Sequence, residues 1–344
     1  MSTEFSPPFR PSWFDRFLLW LEARPGPYWL TILIIYVLLS VQSQLTNWIA
    51  GIELWGQLNP EHLVYQLFTA EVLYFWKYLD RDARRALAAF RPMLSVEEKP
   101  FLELEYRFTH QPARHVAALT ILGLVLGAYY SFSIEVMNSG SLSLSFATIY
   151  GILGFGVPMT LALIFVYRII RQLRIVTQLY ASASEIDLYH LNPVYALSSH
   201  TAKTGLILLM LIYTNLLLSP GSIEVPTALI TTVAISLISV SAFLLPLQGI
   251  NHRLVAEKKA LVSEVNDRIK RTFTLLESKV DGRDWGQIKE VETAISGLER
   301  QKLFIERIPT WPWQPGTVRG FLSAMLLPIL LWAIQQLLGR LLSA

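Results

Sequence analysis

Apolar residues in this chain gather into long runs separated by short polar or charged stretches, instead of alternating with period two. A helix that crosses a bilayer needs about 20 mostly apolar residues. Runs of that kind occupy roughly 27–42, 115–134, 144–170, 204–219, 225–250 and 318–340. The run at 204–219 is largely apolar only over 205–218, and it reaches spanning length by taking in 199–204. A seventh stretch, 62–79, contains Gln66 and Glu71; taken alone, it also fits an amphipathic helix at the membrane surface. The positive-inside rule favours crossing. With seven crossings and the N-terminus inside, every one of the 29 Lys and Arg residues except Arg340 falls on the inner side or at an inner helix end. The outer segments, about 43–61, 135–143 and 219–224, then hold Glu53, Glu61, Glu135 and Glu224 but no Lys or Arg. If 62–79 stayed on one side, Arg10, Arg16 and Arg24 would move outside. The expected fold is all-α: a multi-pass integral membrane protein of seven transmembrane helices, N-terminus inside, C-terminus outside, with a helical cytoplasmic base in a cell or inner membrane.

This pattern divides the chain. Residues 1–26 form a cytoplasmic leader in which SWFDRFLLWL, 12–21, places Trp13, Phe14, Phe17, Leu18 and Leu21 along one side. That suits a short helix at the inner headgroup level, with Trp13 and Trp20 as interface anchors. The first span follows with no A-x-A cleavage site, so it is expected to be retained. Residues 27–250 hold six spans, with cytoplasmic loops at 80–114 and 171–203. In the first loop 96–108 reads as a helical patch; before the second, 168–183 reads as a basic helical extension of the fourth span. Residues 251–316 read as a helical hairpin. Leu254, Leu261, Val265, Ile269, Phe273, Leu276 and Val280 recur at three, four or seven in its first arm, and Ile288, Val291, Ile295, Leu298 and Ile305 in its second. Such a narrow stripe is a coiled-coil-like seam, and it serves either packing within the chain or oligomerisation. Asp281-Gly282 supplies the turn, and Asp284 with Gln287 a capping pattern. Trp311 and Trp313 are placed as anchors ahead of the last span, in 317–344.

Composition agrees with the pattern. Of 344 residues 53% are apolar and 16% charged, against about 25% charged in an ordinary soluble domain. No cysteine is present, which excludes disulfides, thiolate nucleophiles and Cys-ligated metal sites. A net charge of +3 gives no footing for nucleic acid. The motifs G-x-S-x-G, HExxH, the P-loop and G-x-G-x-x-G are all missing. His110 and His115 near Glu103 and Glu105 make a poor metal signature, and Asp80 and Asp82 before Arg84 and Arg85 read as a solvated charged loop. His200 to Lys203 reads as a juxtamembrane patch. No catalytic residue, metal or cofactor is expected.

Within the spans, Glu71 is the most informative residue, because a charge at that depth costs several kcal/mol unless it is paired, protonated or wet. It is either a gate, proton-linked or pore-facing group, or a protonated carboxyl bonded to another span, for example to Asn215. Gln335 and Gln336 in the last span either bond neighbouring helices or line water. Glu71, Gln335, Gln336 and Asn215 are the pore or gate candidates. Gly123, Gly127 and Gly154 are the helix-packing candidates.

The order of seven spans, short outer loops and a sixth span running into a long inner helix resembles the insect chemoreceptor-type seven-transmembrane ion channels. In that family a cytoplasmic part of the last helix anchors a tetramer and its membrane part lines the pore. The resemblance places 287–308 in the anchoring position and 318–338 in the pore position. Of the Thr-Tyr and Gln-Phe pairs that often mark the family's last helix, the chain keeps only the Gln; Pro328-Ile329 and Gln335-Gln336 stand at the comparable places. The expected function is a non-enzymatic, channel-like homo-oligomer in the bilayer. The alternatives are a membrane scaffold or sensor that signals to a cytoplasmic protein partner through the hairpin, and a lipid-modifying enzyme using Asp80 and Asp82.

Overall fold

The computed structural model describes residues 6–49, 51, 53–58, 60–139, 146–183, 186–218, 226–282, 285–313, 316, 319–320, 322–323 and 326. Among them the chain is helical with no strand. The helices are α1 (Trp13–Glu22), α2 (Tyr28–Ile49), α3 (Pro60–Phe90), α4 (Glu98–Thr109), α5 (Ala113–Ser139), α6 (Phe146–Ser182), α7 (Asn192–Leu218), α8 (Pro226–Asp281) and α9 (Trp285–Arg307). Four are long and apolar enough to cross a membrane, over Tyr28–Ile49, Ala113–Ser133, Ile149–Ser182 and Asn192–Thr214. The expected span at 62–79 lies inside α3, which is not one of those four, and 318–340 lies mostly outside the described residues.

Helix α2 is turned inside out. Its Ser40, Ser43, Gln44, Thr46 and Asn47 are buried, while Trp29, Leu33, Ile34, Val37, Leu38 and Val41 are exposed. Only 28% of the apolar window of α2 is buried, 22% of that of α5 and 28% of that of α6, against 67% for α7. Water would not tolerate so much contiguous apolar surface on three helices. A hydrocarbon solvent would; α2 lies against α3, α5 against α6, and α7 between α3 and α8. The start of α7 explains why the short run at 204–219 suffices: the helix begins at Asn192-Pro193, and Ser198, His200, Thr201 and Thr204 are buried in its first turns.

Two hydrophobic cores lie one above the other. The first joins Phe14 of α1, Val72, Leu73, Trp76 and Leu79 of α3, Ile164, Phe165 and Ile169 of α6, and Leu208 and Leu211 of α7. The second joins Leu87 and Phe90 of α3, Phe101 and Phe108 of α4, Val176 and Tyr180 of α6, Val194 and Leu197 of α7, Leu247, Ile250 and Leu254 of α8, and Ile308.

Helix α1 is docked against the bundle. Ser12 caps it in a reciprocal capping box with Asp15, whose carboxylate also accepts the Gln111 N–H at 3.2 Å. Phe14 sets its ring edge-on against Trp76 at 4.6 Å. Of the expected anchors, Trp13 is half-exposed and donates to the Thr120 hydroxyl at 2.9 Å, and Trp20 is exposed beneath the Arg24 guanidinium. Trp311 and Trp313 stack on each other at 4.6 Å, with Trp313 against the second core.

The hairpin arms are α9 and the far half of α8, which runs unbroken for 56 residues. Asp281 ends α8 and Gly282 bonds back to the Ser278 carbonyl at 3.1 Å, while Asp284 of the expected cap lies outside the described residues. Leu254, Val265, Ile295 and Ile305 are buried in the seam. Phe273 and Val280, expected there, are exposed, because the seam closes over only the part of α8 nearest the second core.

Helices α5 and α6 cross closely. A Cβ on Gly123 would meet the Thr160 backbone at 2.6 Å, and one on Gly127 would meet the Gly156 backbone at 2.4 Å. The Gly154 assignment is corrected: a Cβ there meets only Tyr150 of the same helix, at 3.9 Å, and Gly156 is the glycine at the crossing. Gly127→Leu is therefore expected to cost about 1–3 kcal/mol by forcing the helices apart. Gly154→Ala should leave stability unchanged or slightly raised. Thermal unfolding of both variants in nanodiscs, followed by circular dichroism, checks this pair.

Candidate functional site

The charges that the sequence assigns to loops come together where the two cores meet. Arg168 sits on α6 between the core residues Phe165 and Ile169 and is 2% exposed. Its guanidinium donates to Asp80 Oδ1 at 2.7 Å and to the Trp76 carbonyl at 3.4 Å, and lies 4.5 Å over the Trp76 ring. A charge of this kind is tolerable inside a fold only when it is paired. Asp80 in turn faces Arg84 at 3.6 Å, one turn along α3, and Arg84 reaches Glu105 of α4 at 3.1 Å. This relay runs from a buried cation to the surface and ties α6, α3 and α4 together.

A second pair lies beside it. Asp82 accepts from Lys203 and shares a 3.0 Å hydrogen bond with Nδ1 of His200, joining α3 to α7. Burial raises the Asp82 carboxyl, but hydrogen bonds and charge from His200 and Lys203 outweigh it and hold the group below the ordinary carboxylate value. His200 is 1% exposed, its ring lies 5.6 Å from that of Phe108, and its Nε2 has no partner.

Around Arg168 the remaining polar groups are also internal. Gln172, one turn further on α6, donates to the Phe108 carbonyl at 3.0 Å, and Arg171 donates to the His110 carbonyl. Burial pushes the His110 ring below the ordinary imidazole value. Gln111 is buried with neither amide atom bonded, and Arg168 Nε and Gln172 Oε1 are likewise unpartnered. Buried polar atoms in that state are the usual hosts of internal water.

This arrangement clamps helices together. Both carboxylates are committed to cations, and among the described residues no group of three His, Asp or Glu could hold a metal ion. The expectation of a solvated loop at Asp80 and Asp82, and of a plain surface patch at His200, is corrected, because each residue closes a contact between helices. The pairs are 88 and 118 residues apart, so no local spacing announces them.

Glu71 lies elsewhere, midway along α3. Its carboxyl lies on the side of α3 toward Thr214 of α7, with Oε2 buried and unpartnered. The neighbouring Asn215 continues α7, but its side chain lies outside the described residues, as do Gln335 and Gln336. Helices α2 and α3 leave an open groove of about 280 Å³ lined by Trp29, Ile32, Tyr36, Leu67, Glu71 and Tyr74, among others. No family model, curated protein or solved structure matches the chain.

Two outcomes follow from the charge cluster. Asp80→Asn leaves the buried Arg168 guanidinium without its carboxylate and should cost about 3–5 kcal/mol, whereas adding Arg168→Met to it should recover most of the loss. Thermal midpoints of the single and double variants measure this. For Asp82 the fold favours the ionised form. Its contribution is complete above the unfolded carboxylate value of about 3.9 and is lost as pH falls through the lower folded value. The stability gap between the wild type and Asp82→Asn should therefore narrow as pH is lowered from about 5 to about 2. A gap that stays constant over that range would refute the assignment.

Proposed function

We propose that this chain is a non-enzymatic, seven-span membrane protein, N-terminus inside, that assembles into a channel-like homo-oligomer through its α8–α9 hairpin. The pore would be lined in part by 317–344, where Gln335 and Gln336 stand, and Glu71 would act as a gate or pore-facing group. One observation carries the reading most directly. On a highly charged pair of helices, Phe273, Leu275 and Val280 of α8 and Leu303 and Phe304 of α9 remain exposed. Two separate sets of apolar side chains, one near the turn (Phe273, Leu275, Val280) and one near the base (Leu303, Phe304), on otherwise charged, water-facing helices favour burial against another copy. The inside-out α2 and the exposed apolar faces of α5 and α6 support the bilayer setting, and the Lys and Arg distribution supports the orientation.

A sensor or scaffold that signals through the hairpin is the second reading. It is favoured by the way the hairpin is fixed to the bundle. Arg253 donates to the carbonyls of Tyr180 at 2.6 Å and Ala183 at 2.8 Å at the end of α6, and within the hairpin Lys258 ties its two arms together through the carbonyls of Glu306 and Ile308 at 2.7 and 2.8 Å. A displacement of α6 would be passed to the hairpin. A lipid-modifying activity has the least support, since Asp80 and Asp82 are tied to cations.

Mass photometry of the protein in lipid nanodiscs is expected to give a closed oligomer, which Phe273→Glu combined with Phe304→Glu reduces to monomers. A wild-type monomer would overturn the shared-pore reading and favour the sensor. In the oligomer, Gln335→Leu should change single-channel conductance in planar bilayers while leaving the subunit count intact; an unchanged current would remove Gln335 from the pore.

A further inference from the structure

The groove between α2 and α3 opens outward on the side where α2 exposes apolar residues. It runs beside Trp29, Ile32, Leu33 and Tyr36 on one wall and Leu67, Ala70, Glu71, Tyr74 and Phe75 on the other. From Leu67 to Phe75 the wall is about 12 Å long at the helical rise of 1.5 Å per residue. No polar atom reaches the groove surface, so Glu71 contributes only its methylenes, its carboxyl being turned toward Thr214. That chemistry suits an alkyl chain and offers nothing to a polar ligand.

One end of the groove is cationic. Within a turn of Trp29 and Tyr74, Lys77 Nζ lies 4.0 Å over the Tyr28 ring and 3.3 Å from Glu22. Arg24 lies 4.0 Å over the Trp20 ring and is exposed, and the exposed Arg81 follows Lys77 one turn along α3. Glu22 offsets one of these three cations, leaving an excess of positive charge where the chain crosses from hydrocarbon to water. The Trp20 and Tyr28 rings mark the same level, since amphipathic aromatics settle at the headgroups.

We propose that this groove is a binding site for an anionic phospholipid, with one acyl chain lying between α2 and α3 and the headgroup phosphate held by Arg24, Lys77 and Arg81. The inference rests on the bilayer setting of α2. Apolar walls supply the chain contact and are indifferent to headgroup; the cations supply the selection for negative charge. The lipid fills the space between α2 and α3 and so fixes the wall that carries Glu71.

Trp29 lines the groove and reports its occupancy. The full-length protein, reconstituted in phosphatidylcholine vesicles, is titrated with phosphatidylglycerol brominated on its acyl chains, and in parallel with equally brominated phosphatidylcholine. The Trp29→Phe variant isolates the signal of Trp29 from the other nine of the 10 tryptophans. Quenching of Trp29 is expected to reach half-maximum at a mole fraction of brominated phosphatidylglycerol at least fivefold lower than that of the brominated phosphatidylcholine. Arg24→Gln with Arg81→Gln should remove that preference, at about fivefold for each arginine. Equal quenching by the two lipids would overturn the site while leaving α2 in hydrocarbon. Absence of quenching by both would overturn the bilayer setting of α2 itself.

Discussion

A guanidinium buried at the meeting of two cores is the constraint to which the rest of this structure answers. Arg168 carries a charge where only 2% of the residue is exposed, at the point where α6 passes from an apolar run to a basic one. Left alone, such a charge would cost several kcal/mol, so α3 must present Asp80 and the Trp76 carbonyl at one level and one rotation. That requirement sets the register of α3 against α6. Trp76, fixed under the guanidinium, then offers the ring against which Phe14 packs, and α1 is placed in consequence. Asp82, two residues further along α3 and so on another side of it, is free to meet His200 and Lys203 on α7. Three helices and the leader are thus positioned from one buried cation.

The two cores on either side of this level are covered differently. Above it α2, α5 and α6 turn apolar side chains outward, and the polar residues of α2 turn in. Without a hydrophobic force between them, such helices associate by close packing of small residues and by internal hydrogen bonds. The Gly123, Gly127 and Gly156 crossing and the Ser239 hydroxyl donating to the Gly205 carbonyl at 2.5 Å are of this kind. Below it the core around Phe90, Phe108 and Tyr180 is an ordinary water-driven one, covered by charged helices.

What the sequence made legible follows from which forces act locally. Hydropathy found α2, α5 and α6 because their apolar surplus is continuous along the chain. The Asp281-Gly282 turn was readable because a helix end leaves local backbone groups to satisfy. The start of α7 was harder to read, since its first turns bury Ser198, His200, Thr201 and Thr204, whose polarity imitates a loop. The charge cluster could not be read at all. Asp80, Asp82, Arg168 and His200 have the appearance of solvated residues when taken one at a time, and the pairing that changes their meaning is made across 88 to 118 residues. Spacing identifies a glycine-rich stretch at 151–156 but not which of its glycines faces the neighbouring helix, as Gly156 does and Gly154 does not.

Helix α8 reaches both cores. Its 56 residues span about 84 Å, far more than a hydrocarbon core of about 30 Å, so more than half of it must stand outside any bilayer it enters. Pro246 removes one backbone hydrogen bond close to where the apolar sequence gives way to charge, the natural place for α8 to bend. Just beyond it, Arg253 closes on the terminal carbonyls of α6, a favourable place for a cation because the helix dipole is negative there. Lys258 does the same for the end of α9. The Arg253 contact thus ties the base of the hairpin to the end of α6, while the Lys258 contact ties its two arms to each other.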